Sequence, residues 1–306
     1  MVSSFWKPQG ITWKELLKRV WSKAIKDEIF DRAAILGFYF QLSLFPLLLF
    51  LTSLLGLFAQ YGSDLRRDLL SYLSTIVPRS ASALIYTTLD EVTEGTSGGK
   101  LSFGLILALL TATGGMVAII EALNAAYHVS EARPWWKTRL VALALTIALA
   151  VLIISALVIV IGGEQVGISV ARAVGLGSAF TTAWVVLQWP IVIAFVFSAF
   201  ALVYYFAPNL REQKLRWVLP GMVVGVALWF LVSFAFRFYL RYFNTYSAIY
   251  GSLGAVIILM LWFYLTGVSI LIGGEVNSEF EKAAAEAGAP DAKLPGEKEP
   301  KQVKQH

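Results

Sequence analysis

The stretch from Arg237 to Tyr250 holds the polar side chains of this sequence that are best suited to bind a ligand. Arg237 and Arg241 are four residues apart, which places two guanidinium groups on one face of a helix. Two such groups can hold a phosphate or a carboxylate through paired hydrogen bonds. Asn244, Tyr246 and Tyr250 follow and add neutral hydrogen-bonding groups. We predict a binding site for an anionic group here, with an anchoring belt of Arg and Tyr at a membrane surface as the alternative.

Other candidate side chains are amides and acids that interrupt or end long apolar segments. Gln41 and Gln188 lie within apolar runs, so each needs a hydrogen-bonding partner, either a substrate or a neighbouring helix. Glu121 and Asn124 are three residues apart and share a helix face. An acid at this position predicts coupling to a proton or cation, and an ion pair with a neighbouring Arg is the alternative.

The sequence lacks the residue sets that enzymes use. It has no Cys and two His, too few for a zinc–cysteine site, a thiolate nucleophile or a histidine cluster. The neighbouring acids Asp27 and Glu28 point in different directions on a helix and lie in an amphipathic, wet segment. Glu275 and Glu279 share a helix face, and they either pair with a neighbouring Arg or act as proton- or cation-linked acids. The segment Glu94–Leu101 resembles a phosphate loop, but Glu replaces its first Gly and Leu follows its Lys. We predict no enzyme, no metal and no cofactor.

The composition places these residues in a membrane. Of the 306 residues, 58% are hydrophobic and 15% are charged, and the mean hydropathy is +0.69. A soluble domain usually carries about 25% charged residues, so the polar surface that keeps a protein in water is missing. The net charge of +5 is better explained by loops at an anionic membrane surface than by nucleic-acid binding.

Six charge-poor stretches are long enough to cross a hydrocarbon core of about 30 Å as helices. The alternation typical of a membrane barrel does not appear. The predicted fold is an all-α membrane protein, a bundle of six transmembrane helices within residues 33–280. The predicted spans are residues 34–59, 101–120, 140–163, 183–206, 217–238 and 252–274.

The distribution of positive charge predicts the orientation of the bundle. With six spans, both ends of the chain lie on one side of the membrane. The segments on that side hold 18 Lys and Arg, and those on the opposite side hold 7. The positive-inside rule therefore places both termini in the cytoplasm.

The segments outside the spans have patterns of their own. Residues 1–32 contain an amphipathic helix that begins with a capping box at Thr12 and Glu15, and we predict that it lies in the inner membrane interface rather than in a partner's groove. Residues 60–100 are predicted to form short amphipathic helices on the outer surface. The tail, residues 281–306, is rich in Ala, Pro, Glu and Lys and is predicted to be disordered.

Gly221 and Gly225 form a GxxxG pair in the fifth predicted span. Such a pair lets two helix backbones approach closely. The contact lies either inside the bundle or between subunits, so a homo-oligomer through these glycines is one prediction. Membrane lipids are the other predicted partners.

Five motifs stand out along the chain: Leu42-Ser-Leu-Phe-Pro46-Leu-Leu-Leu, Ala122-Leu-Asn124-Ala-Ala-Tyr127, Arg133-Pro-Trp-Trp-Lys137, Leu219-Pro-Gly221 and Tyr246-Ser-Ala-Ile-Tyr250-Gly-Ser-Leu. Taken in order, they resemble the YihY/BrkB family of bacterial inner-membrane proteins. The resemblance covers about residues 20–280, and one departure is Phe243-Asn244-Thr245, where that family usually has Phe-Ser-Ser. It implies a six-helix bundle in the inner membrane. The family has carried the label ribonuclease BN, which we reject here because phosphodiester hydrolysis needs metal-binding clusters that the cytoplasmic loops lack.

The function predicted from these features is binding or transport of an amphipathic or anionic envelope molecule, such as a lipid or a lipid-linked precursor, without ATP. Arg237 and Arg241 would bind the anionic group, and Gln41 and Gln188 would line a polar path. A small-solute or ion transporter coupled through Glu121 is one alternative. A membrane scaffold that transports nothing is the other.

Overall fold

Helices joined by loops make up the part of the chain that the structure, a computed structural model, describes. Those residues are 11–61, 98–161, 163–175, 178–242, 252–289, 291–294 and 297. They contain eight helices and no strand, which confirms the predicted all-α class. The helices are α1 (Trp13–Lys26), α2 (Ile29–Tyr61), α3 (Gly98–Ala126), α4 (Trp135–Ile161), α5 (Gly163–Val174), α6 (Ser178–Phe206), α7 (Leu215–Tyr242) and α8 (Ser252–Glu286).

Five of these helices are long and apolar enough to cross a membrane. The first predicted span, residues 34–59, lies within α2, where many side chains are outside the described set, so the count of six spans stays a prediction. The predicted outer helices of residues 60–100 fall almost entirely outside the described residues. The five candidate spans are Ser102–Ala126, Trp135–Val160, Ala183–Phe206, Leu215–Leu240 and Val256–Glu286.

Helix α1 begins and ends at residues that cap it. The Glu15 backbone N–H donates a hydrogen bond to Thr12 Oγ1 at 3.2 Å, as expected for an N-cap. The helix ends before Glu28, which adopts the left-handed backbone conformation at φ 56°. The inward face contains Leu16, Val20 and Ala24, whereas Leu17 is 62% exposed. Whether the exposed side lies in the membrane interface stays a prediction.

The described residues divide into two compact units. Unit 1 comprises those in Met1–Ala33, Met116–Val232 and Thr266–His306, and unit 2 those in Ala34–Gly115 and Ser233–Leu265. In unit 1, Leu16 of α1 packs with Trp217 of α7 and with Val276 and Phe280 of α8. The Trp217 and Phe280 ring centroids are 6.3 Å apart. Each such buried apolar side chain contributes about 1.5–3 kcal/mol, so this core holds α1 against α7 and α8.

Glycines allow close helix packing in unit 2. A Cβ atom added to Gly37 of α2 would lie 3.2 Å from the Tyr264 backbone nitrogen of α8. The Tyr39 side chain covers Gly114 and Gly115 of α3, at 3.1 and 3.2 Å from the corresponding added Cβ positions. Larger residues at these positions would push the helices apart.

Helix α8 extends beyond the length that a membrane needs. It has 35 residues, or about 52 Å at 1.5 Å per residue, against a hydrocarbon core of about 30 Å. It ends at Glu286, six residues into the segment predicted as a tail, and it is followed by Gly288, whose φ of 80° suits the position after a helix C-terminus. Beyond it, Asp291 accepts a hydrogen bond from Lys214 Nζ at 2.7 Å. The predicted disorder of residues 298–306 lies outside the described residues, and the predicted domain boundaries stay predictions.

Candidate functional site

The structure describes only part of the anion site predicted at the end of the fifth span. Arg237 is exposed on α7, and Arg241 follows in the same helix with its side chain outside the described set. Asn244, Tyr246 and Tyr250 lie outside the described residues. The shared helix of the two arginines agrees with the geometry assumed for them, and the complete site stays a prediction.

The two predicted glutamines lie in different units. Gln41 belongs to unit 2 and Gln188 to unit 1. The Oε1 atom of each is buried without a hydrogen-bond donor among the described residues. Gln188 packs on the start of α5, where a Cβ added to Gly163 would lie 2.2 Å from Gln188 Oε1. A polar path lined by both glutamines stays a prediction.

Glu121 and Asn124 have different environments although they are close in sequence. Glu121 is exposed, whereas Asn124 is 4% exposed. Asn124 Nδ2 donates to Glu131 Oε2 at 2.9 Å, and its Oδ1 accepts from the Asn209 backbone N–H at 2.7 Å. Asn124 therefore joins the loop after α3 to the loop after α6. Its described contacts are structural, and a coupling role for Glu121 stays a prediction.

Arg133 completes this connection between the loops. Its guanidinium donates to both Glu131 carboxylate oxygens, at 2.8 and 2.7 Å, and to the Ala207 carbonyl oxygen at 2.8 Å. Burial opposes ionisation of Glu131, but hydrogen bonds from Arg133 and Asn124 outweigh it and hold the pKa of Glu131 below its usual range. The predicted motifs around Asn124 and Arg133 thus meet in one hydrogen-bond network.

A second group of ionisable side chains, which we call the polar cluster, lies between α1, the end of α3 and α8. Lys23 Nζ contacts His128 Nε2, and His128 Nε2 lies 3.7 Å from Asp27 Oδ2. Glu275 is 0% exposed and Glu279 is 2% exposed. The polar cluster consists of Lys23, Asp27, His128, Glu275 and Glu279.

The local backbone explains how His128 reaches the polar cluster. Helix α3 ends with His128 in the left-handed conformation at φ 53°, and the Val129 N–H donates to the Asn124 carbonyl at 2.9 Å. This is the Schellman ending, in which Gly usually occupies the left-handed position. A residue with a side chain costs about 1–2 kcal/mol there. The chain bears this cost at His128, and the imidazole lies beside Lys23 and Asp27.

Sequence analysis singled out the Glu275 and Glu279 pair of the polar cluster but did not foresee that Asp27 lies with them. An ion pair with Arg was one of two expectations for Glu275 and Glu279, but Glu279 lies 3.9 Å from Lys282 Nζ and Glu275 faces Asp27 and Lys23. Asp27 was expected in a wet segment, yet its side chain is 10% exposed because it caps α1 against the other helices. The one signal available was His128, the only His away from the C-terminus.

The glycines of the GxxxG pair pack against helices of the same chain. A Cβ added to Gly221 would lie 1.9 Å from the Gly273 carbonyl oxygen, and one added to Gly225 would lie 2.6 Å from Tyr204 Oη. The Gly221 N–H donates to Asn277 Oδ1 at 2.6 Å. These contacts join α6, α7 and α8 within unit 1. A homo-oligomer stays a prediction, for which the two glycines supply no free surface.

The residues described here contain no group of three or more His, Cys, Asp and Glu side chains arranged to hold a metal ion. The arrangement as a whole offers arginines at one end of α7 and a buried group of carboxyl, imidazole and ammonium side chains in unit 1. Such groups can bind anions and exchange protons.

Comparison with known proteins gives a family match over most of the chain. The model of the family described as virulence factor BrkB matches residues 20–296. The chain is 38% identical over 269 residues to the putative ribonuclease-like protein YfkH of Bacillus subtilis, covering 87% of this chain and 95% of that protein. No solved structure matches the chain.

Two further relatives are longer membrane proteins from Xanthomonas. The chain is 28% identical over 286 residues to a UPF0761 membrane protein of Xanthomonas campestris pv. campestris (strain 8004). It is 27% identical over 285 residues to a UPF0761 membrane protein of Xanthomonas oryzae pv. oryzae (strain PXO99A). Each match covers 87% of this chain, which spans 63% of the length of these relatives.

Proposed function

This chain belongs to the family of the virulence factor BrkB, and from that premise we propose that it binds and moves an anionic amphipathic molecule of the cell envelope. It is an integral membrane protein with several apolar helices. The cargo is a lipid or a lipid-linked precursor, and the site of action is the bacterial inner membrane. Transport needs no ATP from this chain.

The observation that carries this proposal is the exposed Arg237 near the end of α7. No acidic side chain of the described part of the chain forms an ion pair with it, and Arg241 follows one turn later. Exposed apolar side chains flank it, with Phe234 71% exposed and Phe238 57% exposed. An anionic headgroup on the guanidinium groups and acyl chains on the aromatic side chains would satisfy both kinds of surface. Asn244, Tyr246 and Tyr250 are proposed to complete the headgroup site.

The proposal is tested by lipid binding in native mass spectrometry. Purified protein is incubated with phosphatidylglycerol and phosphatidylcholine of equal chain length, and the variant Arg237→Ala/Arg241→Ala is compared with the native chain. We expect phosphatidylglycerol binding to weaken about fivefold or more, because each exposed charge pair contributes about 0.5–1 kcal/mol.

The matched control for this experiment is Arg172→Ala. Arg172 is an exposed arginine near the end of α5, and it lies on the same predicted side of the membrane as Arg237 and Arg241. The Arg172→Ala variant should bind the anionic lipid as the native chain does. Equal lipid binding by the native chain and the double variant would contradict the proposed site.

A second candidate function is flux of a small solute or ion coupled to protons. The fully buried carboxyl of Glu275 favours it, since ionisable groups inside membrane proteins commonly carry protons or ions. Glu121, the acid proposed from the sequence, is exposed. In proteoliposomes, loss of pH-dependent flux in Glu121→Gln would assign the coupling to Glu121. Absence of both flux and lipid selectivity would favour the scaffold instead.

A further inference from the structure

The polar cluster contains a carboxyl group that water does not reach. Glu275 is 0% exposed, and neither of its carboxyl oxygens accepts a hydrogen bond from an N–H or O–H group among the described residues. The carboxyl of Asp27 lies within hydrogen-bonding reach of it. Asp27 Oδ2 also lacks a donor in the described part of the chain. The two acids therefore depend on each other.

Two carboxyl groups in this arrangement are satisfied by one proton. An ionised carboxylate only accepts hydrogen bonds, so a bond between two of them requires that one be protonated. Two ionised carboxylates would repel each other, and removing each of them from water is unfavourable. A shared proton removes the repulsion and supplies the missing donor.

Charges of both signs lie close to the pair. Lys23 places a positive charge beside Glu275, and Glu279 places a negative one there. The other titratable or charged groups in the surroundings are Arg32 of α2, which donates to the Asp27 backbone carbonyl, Tyr127 and His128 after α3, and Glu281 and Lys282 of α8.

A proton fits the pair better than a metal ion does. Among the residues that the structure describes, no three His, Asp or Glu side chains converge as metal ligands require. The Lys23 ammonium group, which contacts His128, already places a positive charge beside the pair.

His128 connects this pair to water. Its side chain is 30% exposed, that of Asp27 is 10% exposed, and Glu275 is 0% exposed, so the three form a path of decreasing exposure. His128 Nε2 lies 3.7 Å from Asp27 Oδ2, a gap that a small side-chain movement closes to a hydrogen bond. Lys23 Nζ contacts the same imidazole nitrogen and must move aside first.

We infer that the polar cluster is a proton-binding site in which Asp27 and Glu275 share one proton and His128 exchanges it with water. On uptake, a proton binds His128 Nε2, passes to Asp27 Oδ2 and leaves the imidazole neutral. Release follows the reverse order. The inference does not depend on the identity of the transported molecule, because it concerns unit 1 alone.

Infrared spectroscopy tests the site directly in the purified full-length protein. A protonated carboxylic acid has a carbonyl stretching band that a carboxylate lacks. We expect this band at about pH 7, well above the ordinary acid range near pH 4, and we expect its loss in Glu275→Gln. In His128→Asn the band should persist but exchange with deuterium on the order of tenfold more slowly, because the imidazole relay is gone.

The control is Glu286→Gln, which removes an acid of α8 whose side chain is 42% exposed and should leave the band unchanged. The native protein alone tests the shared proton if Glu275→Gln does not fold. Absence of the band from the native protein at about pH 7 would overturn the inference, as would a band that is unchanged in both Glu275→Gln and Asp27→Asn. Unchanged exchange in His128→Asn would remove His128 from the site.

Discussion

At the residue scale, Asn124 illustrates how one amide can connect two loops. Its side chain uses both polar atoms, one toward Glu131 and one toward the Asn209 backbone. Two interpretations were open from the sequence for the Glu121 and Asn124 pair, coupling to a proton or cation and a structural role. The described contacts are structural, and they account for the position of Asn124 beside Arg133 in the fold.

Replacing Asn124 by Ala should therefore reduce stability. The substitution leaves the buried Asn209 N–H without a partner and removes a donor to an ionised carboxylate. We expect a loss of about 2–3 kcal/mol, measured as a lower Tm in detergent. Glu121→Gln, an exposed change on the same helix, is the control and should leave the Tm nearly unchanged. Equal effects of the two changes would contradict this account.

His128 gives a prediction for pH. Burial lowers the pKa of His128. The positive charges of Lys23 and Lys282 also lower it, whereas the negative charges of Asp27 and Glu279 raise it. His128 in the unfolded chain therefore binds a proton at a higher pH than it does in the folded protein. Stability falls as the pH drops below about 6.5, the pKa in the unfolded chain, and towards the lower pKa of His128 in the folded protein. We expect a smaller loss of Tm in His128→Asn, which tolerates the left-handed backbone. Parallel declines in both proteins would show that another group titrates.

At the element scale, α7 is fixed by contacts that leave no space for a side chain at Gly221. A Cβ atom there would overlap the Gly273 backbone carbonyl of α8, which cannot move as a side-chain tip does. Gly221→Ala should cost about 3 kcal/mol or more and lower the Tm strongly. Ala227→Val adds volume at an exposed position of the same helix and is the control. A small effect of Gly221→Ala would mean that α7 and α8 are not packed as described.

The helices themselves were largely predictable, and the contacts between distant parts were not. Apolar runs predicted α3, α4, α6 and α7 closely, and Thr12 marked the start of α1, because these signals are local. The polar cluster joins residues near 25, 128 and 277, and no local pattern reports such a meeting. The last turns of α8 were predicted as the start of a disordered tail because the segment's Ala, Pro, Glu and Lys composition offers little apolar surface to bury.

At the scale of the whole molecule, the charge distribution predicts that both termini are cytoplasmic. The chain has no native Cys, so single Cys substitutions can be labelled without background. An impermeant maleimide added to intact cells should label Arg172→Cys but not Ser22→Cys, both at exposed positions. Ser22→Cys should be labelled only after the membrane is permeabilised. The reverse pattern would place the termini outside and contradict the positive-inside argument.

The measurement that tests the central claim most directly is lipid movement in proteoliposomes. Vesicles contain the purified protein and fluorescent phosphatidylglycerol, and an external reductant destroys the label in the outer leaflet only. We expect the native protein to expose the inner-leaflet label as well, and Arg237→Ala/Arg241→Ala to do so more slowly than Arg172→Ala. A loss of signal limited to the outer leaflet, equal to that of protein-free vesicles, would contradict the claim that this protein moves an anionic lipid.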